Sequence, residues 1–261
     1  MAKVSQYTEM SFEEKAQQDC AEMNALPGKL EGHDCADCLN RGYSYFARGD
    51  EVVCRECHCA DVRKSLVRIK KSGLEDMLEY CTFDSYKVTE KWQEPIKASA
   101  VKFVGDSFGK WFFIGGQVGA GKTHLCTAIV GEFLKAGKSA RYMLWRDEVV
   151  KLKACVTDDV QYAKLINPLK TVDVLYIDDL FKTARGEDGR AKPPTAGDLN
   201  VAFEIFNARY NDKSLVTVIS CEHYIDDLTA MDEAVGSRIY QRTKDYCNII
   251  GRDKKRNYRM R

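Results

Sequence analysis

Missing from this chain are the features that mark a membrane or secreted protein. No apolar run among its 261 residues is long enough to cross a bilayer, and Met1–Met10 holds no signal-peptide core. Net charge is nearly absent too: 40 Lys and Arg stand against 39 Asp and Glu. That balance excludes a whole-molecule attraction to nucleic acid. Cysteine is not scarce. Eleven thiols without a secretory leader imply a reducing compartment, where they act as metal ligands or core residues rather than disulfides. The expected location is the cytoplasm.

The charge that is present is sorted along the chain. Residues 236–261 hold nine Lys or Arg against two Asp, whereas residues 1–34 hold seven acids against three Lys. An acidic arm and a basic tail suggest different partners at the two ends.

The most informative stretch is Gly116-Gln117-Val118-Gly119-Ala120-Gly121-Lys122-Thr123. It satisfies G-x-x-x-x-G-K-[ST], a strand-run (Trp111 to Ile114) precedes it, and a helical pattern from His124 to Leu134 follows. In that setting backbone N–H groups turn inward around a nucleotide's phosphates and the helix N-terminus adds its dipole. Lys122 is expected to reach the β/γ oxygens and Thr123 to hold Mg²⁺, with His124 beside them. Val172 to Ile177 followed by Asp178-Asp179 has the form of a Walker B strand. Asp178 is then a second Mg²⁺ candidate, and Asp179 is placed to orient or deprotonate the attacking water. Ser220 and Glu222 end the strand expected beside Asp178. Arg238, Arg242 and Arg259 supply guanidinium groups, of which γ-phosphate hydrolysis often borrows one from a neighbouring subunit.

The second strong pattern is Cys35-x₂-Cys38 and, fifteen residues later, Cys54-x₂-Cys57. This spacing predicts one structural Zn²⁺ on four thiolates, brought together by a hairpin through Tyr43 to Phe46 and Val52-Val53. Cys59, His58 and His33 lie close enough to compete as ligands. Metal binding is expected to contribute on the order of 10–16 kcal/mol to the folding of so small a unit. Ahead of it, Ser11 to Glu14 forms a capping box for a helix whose face carries Phe12, Ala16, Cys20 and Met23. A basic helix (Asp61 to Lys71) follows, and Ser72-Gly73 breaks it.

Beyond the phosphate loop, strands and helices alternate. Ala140 to Leu144, Leu215 to Ile219 and Cys247 to Ile250 read as strands; Arg146 to Ala154, Thr195 to Tyr210 and Ala234 to Arg242 read as helices. The expected fold is therefore α/β, a P-loop parallel sheet covered by helices, preceded by a small zinc-binding amino-terminal domain. Lys182 to Gly197, with two glycines and two prolines ahead of Gly197, reads as a loop without an assigned role.

Together these motifs resemble the DnaC/DnaI-type replicative helicase loaders, an AAA+ family, and especially their phage-borne branch. The resemblance covers the cysteine knuckles, Thr82-Phe83-Asp84, Gly116 to Thr123, Asp178-Asp179 and Gly236-Ser237-Arg238. It implies residues 1–73 as a zinc-binding, helicase-interacting domain and 74–261 as an AAA+ ATPase that binds ATP and single-stranded DNA and self-associates. By family position Arg238 looks like the arginine finger, with Arg242 as its rival. Asn257-Tyr258-Arg259 resembles the sensor 2 segment, Phe83 and Tyr86 border the adenine, and Arg146, Lys151 and Lys153 face DNA. Two departures stand out: Glu222, or Ser220 in a slipped register, at sensor 1, and Asp179 where AAA+ motors carry a longer Glu. The implied function is ATP-dependent delivery of a hexameric helicase to single-stranded DNA. A transposition-type AAA+ regulator acting with a transposase is the competing reading. A small P-loop kinase would need an acceptor pocket and lid arginine that are not evident, and a GTPase would need an N-K-x-D motif, which does not occur.

Overall fold

The structure, a computed structural model, describes residues 10–71, 74–183 and 192–260. The expected break at Ser72-Gly73 and half of the Lys182 to Gly197 loop fall outside them. The chain divides into two compact units, Met1–Lys64 and Ser65–Arg261, with the division inside the basic helix.

In the first unit α1 (Phe12–Ala25) starts at the expected capping box: the Glu14 N–H donates to Ser11 Oγ, and Glu14 Oε2 accepts from the Ser11 N–H at 2.8 Å. Ala16 and Cys20 are buried, but Phe12 is 82% exposed, so the stripe is narrower than its period suggested. The helix C-terminus is closed by Arg41, whose guanidinium donates to the carbonyls of Met23, Asn24 and Leu26. These are the orphan acceptors that any helix end must satisfy. A hairpin of β1 (Tyr43–Arg48) and β2 (Glu51–Glu56) packs on α1, and Asn24 pairs its side-chain amide with both backbone groups of Tyr45. Every residue of β2 is exposed. Such a hairpin has too little core to stand alone. The basic helix α2 (Cys59–Lys71) follows.

The second unit begins with α3 (Glu75–Tyr80) and α4 (Gln93–Gly105). Ahead of α4 the Thr89 and Glu90 N–H groups donate to Gln93 Oε1. Then come β3 (Phe112–Gly116), α5 (Lys122–Lys135), β4 (Ala140–Leu144), α6 (Trp145–Ala154), α7 (Asp159–Thr171) and β5 (Val174–Leu180). After the loop follow α8 (Ala196–Asn211), β6 (Val216–Cys221), α9 (Ile225–Met231), α10 (Glu233–Thr243) and β7 (Cys247–Ile250). Helix α7 is not apparent in the sequence because Pro168 interrupts its pattern; Asp158 caps it through the N–H groups of Val160 and Gln161.

The five strands run parallel in the order β4-β5-β6-β3-β7. Parallel strands covered on both faces carry continuous apolar runs, and Trp111 to Ile114 and Val174 to Ile177 are fully buried. Arg209 of α8 is buried with them. Its guanidinium donates to the carbonyls of Leu169, Val172 and Val216 and to Thr217 Oγ1, tying α8 to the entrances of β5 and β6. The carboxyl ends of β3, β5 and β6 are neighbours, and ligands of open α/β sheets bind at such an edge.

Candidate functional site

Residues 116–123 leave β3 and enter α5 as the motif requires. Gly119 and Gly121 sit at φ +73° and +85°, and a Cβ on Gly119 would stand 1.9 Å from Asn257 Oδ1. Only glycine permits both that backbone and that approach. Lys122 is buried beneath the loop, with Nζ donating to the carbonyls of Gly116 (2.9 Å) and Gln117 (2.7 Å). Burial pushes its ammonium below the usual lysine range, against the pull of Asp179 and Glu222.

The loop forms one wall of a cleft of about 440 Å³, a volume suited to a nucleotide. Val118, Gly119, Ala120, Gly121, Lys122, Thr123 and His124 line it; Gly116 and Gln117 shape the loop from behind. A second wall is the turn after α3. His124 Nε2 lies 3.0 Å from the Thr82 carbonyl and 3.2 Å from Ser85 Oγ, and its ring meets Tyr86 edge-on at 5.2 Å. Tyr86 therefore borders the cleft, whereas Phe83, expected beside it, does not line it. The carboxyl-terminal segment closes a third side. The Tyr258 N–H donates to the Gly119 carbonyl at 3.0 Å, and Arg259 lines the cleft.

The two Walker-type acids separate. Asp178 is buried and accepts from the hydroxyls of Tyr142 (3.0 Å), Tyr176 (2.8 Å) and Ser220. It stands behind the lining residues rather than among them, with its oxygens accepting from three hydroxyls. Ser220 is likewise buried, donating to Asp178 and accepting from the Asp179 N–H at 3.1 Å, which fixes the register so that Glu222 faces the cleft. Asp179 takes φ +56°, a left-handed turn that swings its carboxylate into the cleft. Thr123, Asp179 and Glu222 thus offer hydroxyl and carboxylate oxygens in one space, the donor type a hard Mg²⁺ accepts.

Sequence reading missed several lining residues. Thr89, Gln93 and Tyr258 join through a bond between the Thr89 and Tyr258 hydroxyls at 3.0 Å, a contact across 169 positions that no local pattern announces. Lys182 heads the loop that carries no motif, and its Nζ lies 2.7 Å from Asp179 Oδ2 and 2.9 Å from Glu222 Oε1.

Neither candidate finger lines the cleft. Arg242 is 7% exposed and donates to the carbonyls of Gly109, Arg209 and Asp212 while stacking on Trp111 and Tyr210. That corrects its role: it braces α10 against β3 and cannot serve a neighbour. Arg238 is half-buried over Phe203 and Tyr210, with Nη1 on the Ala234 carbonyl. Of the DNA candidates on α6, Arg146 is exposed, Lys151 pairs with Glu148 at 2.6 Å, and Lys153 reaches Asp198 at 2.7 Å. Lys153 is thereby a tie to α8.

In the first unit the thiols of Cys35, Cys38, Cys57 and Cys59 lie within 4.8 Å of one another. Cys54 does not join them. It sits in mid-strand on β2, exposed and opposite Tyr45, because the hairpin runs on to Glu56 and its second knuckle is Cys57-x-Cys59. The Gly42 N–H points at Cys38 Sγ (3.3 Å); burial pushes this thiol up, and that bond with the neighbouring thiols outweighs it, to about 7. Four sulfurs at this separation fit a tetrahedral Zn²⁺ shell.

Comparison with known proteins bears on family and fold. The model of the bacterial DnaA ATPase domain matches residues 81–242, more than half of the chain. Uncharacterized protein YqaM of Bacillus subtilis (strain 168) is 35% identical over 226 residues, 80% of this chain and 68% of that protein. The phage-like element PBSX protein XkdC of the same strain is 29% identical over 230 residues, 84% of this chain and 82% of XkdC. Replicative helicase loader DnaC of Buchnera aphidicola subsp. Acyrthosiphon pisum is 27% identical over 135 residues, about half of each chain (50% and 53%). Among solved structures, DnaI superposes with a TM-score of 0.53 at 22% identity, over 67% of this chain and 92% of DnaI. The replication initiator DnaA bound to AMPPCP and single-stranded DNA gives 0.51 at 21%, over 66% and 49%. Those two likenesses speak to the fold. No helix among the described residues is long and apolar enough to cross a membrane. The chain belongs to the family of the bacterial DnaA ATPase domain, and it matches a phage-borne, DnaC-like AAA+ loader.

Proposed function

We propose that this protein is an ATP-dependent helicase loader, which holds a replicative hexameric helicase and delivers it to single-stranded DNA. The observation that carries this reading is the cleft in which the phosphate loop, Tyr86, Asp179 of β5, Glu222 after β6, and Arg259 converge. Lys122 leaves the carbonyls of Gly116 and Gln117 for the β/γ-phosphates, and the loop N–H groups complete the cradle. Thr123 and Asp179 are the residues to hold Mg²⁺, which neutralises phosphate charge. Asp178 acts from behind by fixing the strand end. Asp179 also orients the attacking water and takes its proton, while Glu222, neutralised by Lys182, stands beside the terminal phosphate. Arg238 of a neighbouring copy completes the site, so turnover is weak in isolation.

Cys35, Cys38, Cys57 and Cys59 hold one structural Zn²⁺, and the unit they stabilise offers the helicase its exposed hairpin. Arg146 and Lys151, with the basic tail, contact the DNA backbone, a binding that weakens steeply with salt. The test is capture of purified partners by the tagged chain with ATP present. A replicative helicase retained at stoichiometric level supports the loader reading. Retention of a transposase instead, with no helicase, would replace it by a transposition regulator.

A further inference from the structure

Lys182 stands on the acidic wall of the cleft, at the head of the stretch to which the sequence assigns no role. Its position is built rather than incidental. The ladder between β5 and β6 shifts register between Ile177 and Leu180, and Asp179 and Phe181 both take left-handed backbone, at φ +56° and +57°. Non-glycine residues keep such conformations only where their surroundings enforce them. Phe181 supplies the enforcement: it is buried and meets Trp145 edge-on at 5.1 Å. The Lys182 N–H then closes the turn on the Asp179 carbonyl at 2.9 Å, and the side chain bridges Asp179 and Glu222.

Charge balance gives the bridge a purpose. Two carboxylates on this wall would repel a terminal phosphate placed beside them, whereas Lys122 approaches that phosphate from the opposite loop. We propose that Lys182 is the specificity-determining residue that makes the acidic wall tolerate a γ-phosphate, so that the site prefers a nucleoside triphosphate to a diphosphate. This rests on the reading of the cleft as a nucleotide site.

The test compares affinities of the full chain for AMPPCP and for ADP, each with Mg²⁺. Lys182→Met should weaken AMPPCP about tenfold or more and leave ADP within about twofold, because Mg²⁺ at Asp179 leaves Glu222 without its cation and only the triphosphate places charge against it. Lys182→Arg should keep the parent's preference, and Lys182→Met combined with Glu222→Gln should recover most of it. Equal effects on both nucleotides, no effect on either, or a double variant no better than the single would overturn the proposal while leaving the nucleotide site standing. A parent chain that binds neither nucleotide would overturn the site reading and the proposal together.

Discussion

Asp178 and Asp179 are adjacent in sequence and opposite in role. Alternation along β5 turns Asp178 onto the hydroxyls of Tyr142, Tyr176 and Ser220, and each such bond to a charged acceptor is worth roughly 1.5–3 kcal/mol. Burial, then the Asp178 carboxylate, pushes the Tyr142 phenol up, which keeps it a donor throughout the working range. The left-handed turn then delivers Asp179 to the cleft. Asp179→Asn is accordingly expected to bind ATP within about twofold of the parent and to lose 10²-fold or more in turnover, since shape is kept and the basic oxygen is lost. Lys122→Ala should fail at binding itself. Nucleotide titration and single-turnover hydrolysis of both variants separate the two roles; undiminished ATP affinity in Lys122→Ala would remove the lysine from the site. Arg238 is tested by mixing. Arg238→Ala and Lys122→Ala, each inactive, should together regain turnover, because each supplies the half-site the other lacks. A trans guanidinium is worth about 10³–10⁵ in rate in related phosphoryl transfer. A mixture that assembles yet stays inactive would exclude Arg238 as the finger.

At the scale of elements, structure is legible in the sequence where it is local and hidden where a distant neighbour decides. The phosphate loop, the α1 capping box, β4 and β7 follow from short patterns and lie where those patterns put them. Helix α7 was hidden by Pro168, and the Tyr258 contact by its distance along the chain. The cysteine set failed for a subtler reason. Cys54-x₂-Cys57 has knuckle spacing, but β2 extends through Cys54, and only Cys57 and Cys59 curl back toward Cys35 and Cys38. Cys59→Ser should therefore lose the bound zinc and unfold the first unit, while Cys54→Ser retains about one zinc per chain. Metal analysis with thermal unfolding decides; equal zinc loss in both variants would restore Cys54 to the shell. Arg209 makes a different point. Its guanidinium is buried among carbonyls, and burial lowers it to about 9, yet no motif flags it. Arg209→Ala would leave those carbonyls unpaired beside a void, costing roughly 3–5 kcal/mol and on the order of 10 °C in Tm. A change under about 1 kcal/mol in urea titration would show that α8 does not depend on it.

At the scale of the whole molecule, the proposed loader reading makes the nucleotide state of the cleft the control of an assembly with a helicase. The most direct measurement is light scattering after size exclusion of the chain mixed with a replicative hexameric helicase, with and without ATP, using Lys122→Ala as control. The account predicts a shared high-mass peak with the parent chain whose stoichiometry or stability changes with ATP, and no such ATP response with Lys122→Ala. Separate elution of the two proteins under every nucleotide condition would contradict it.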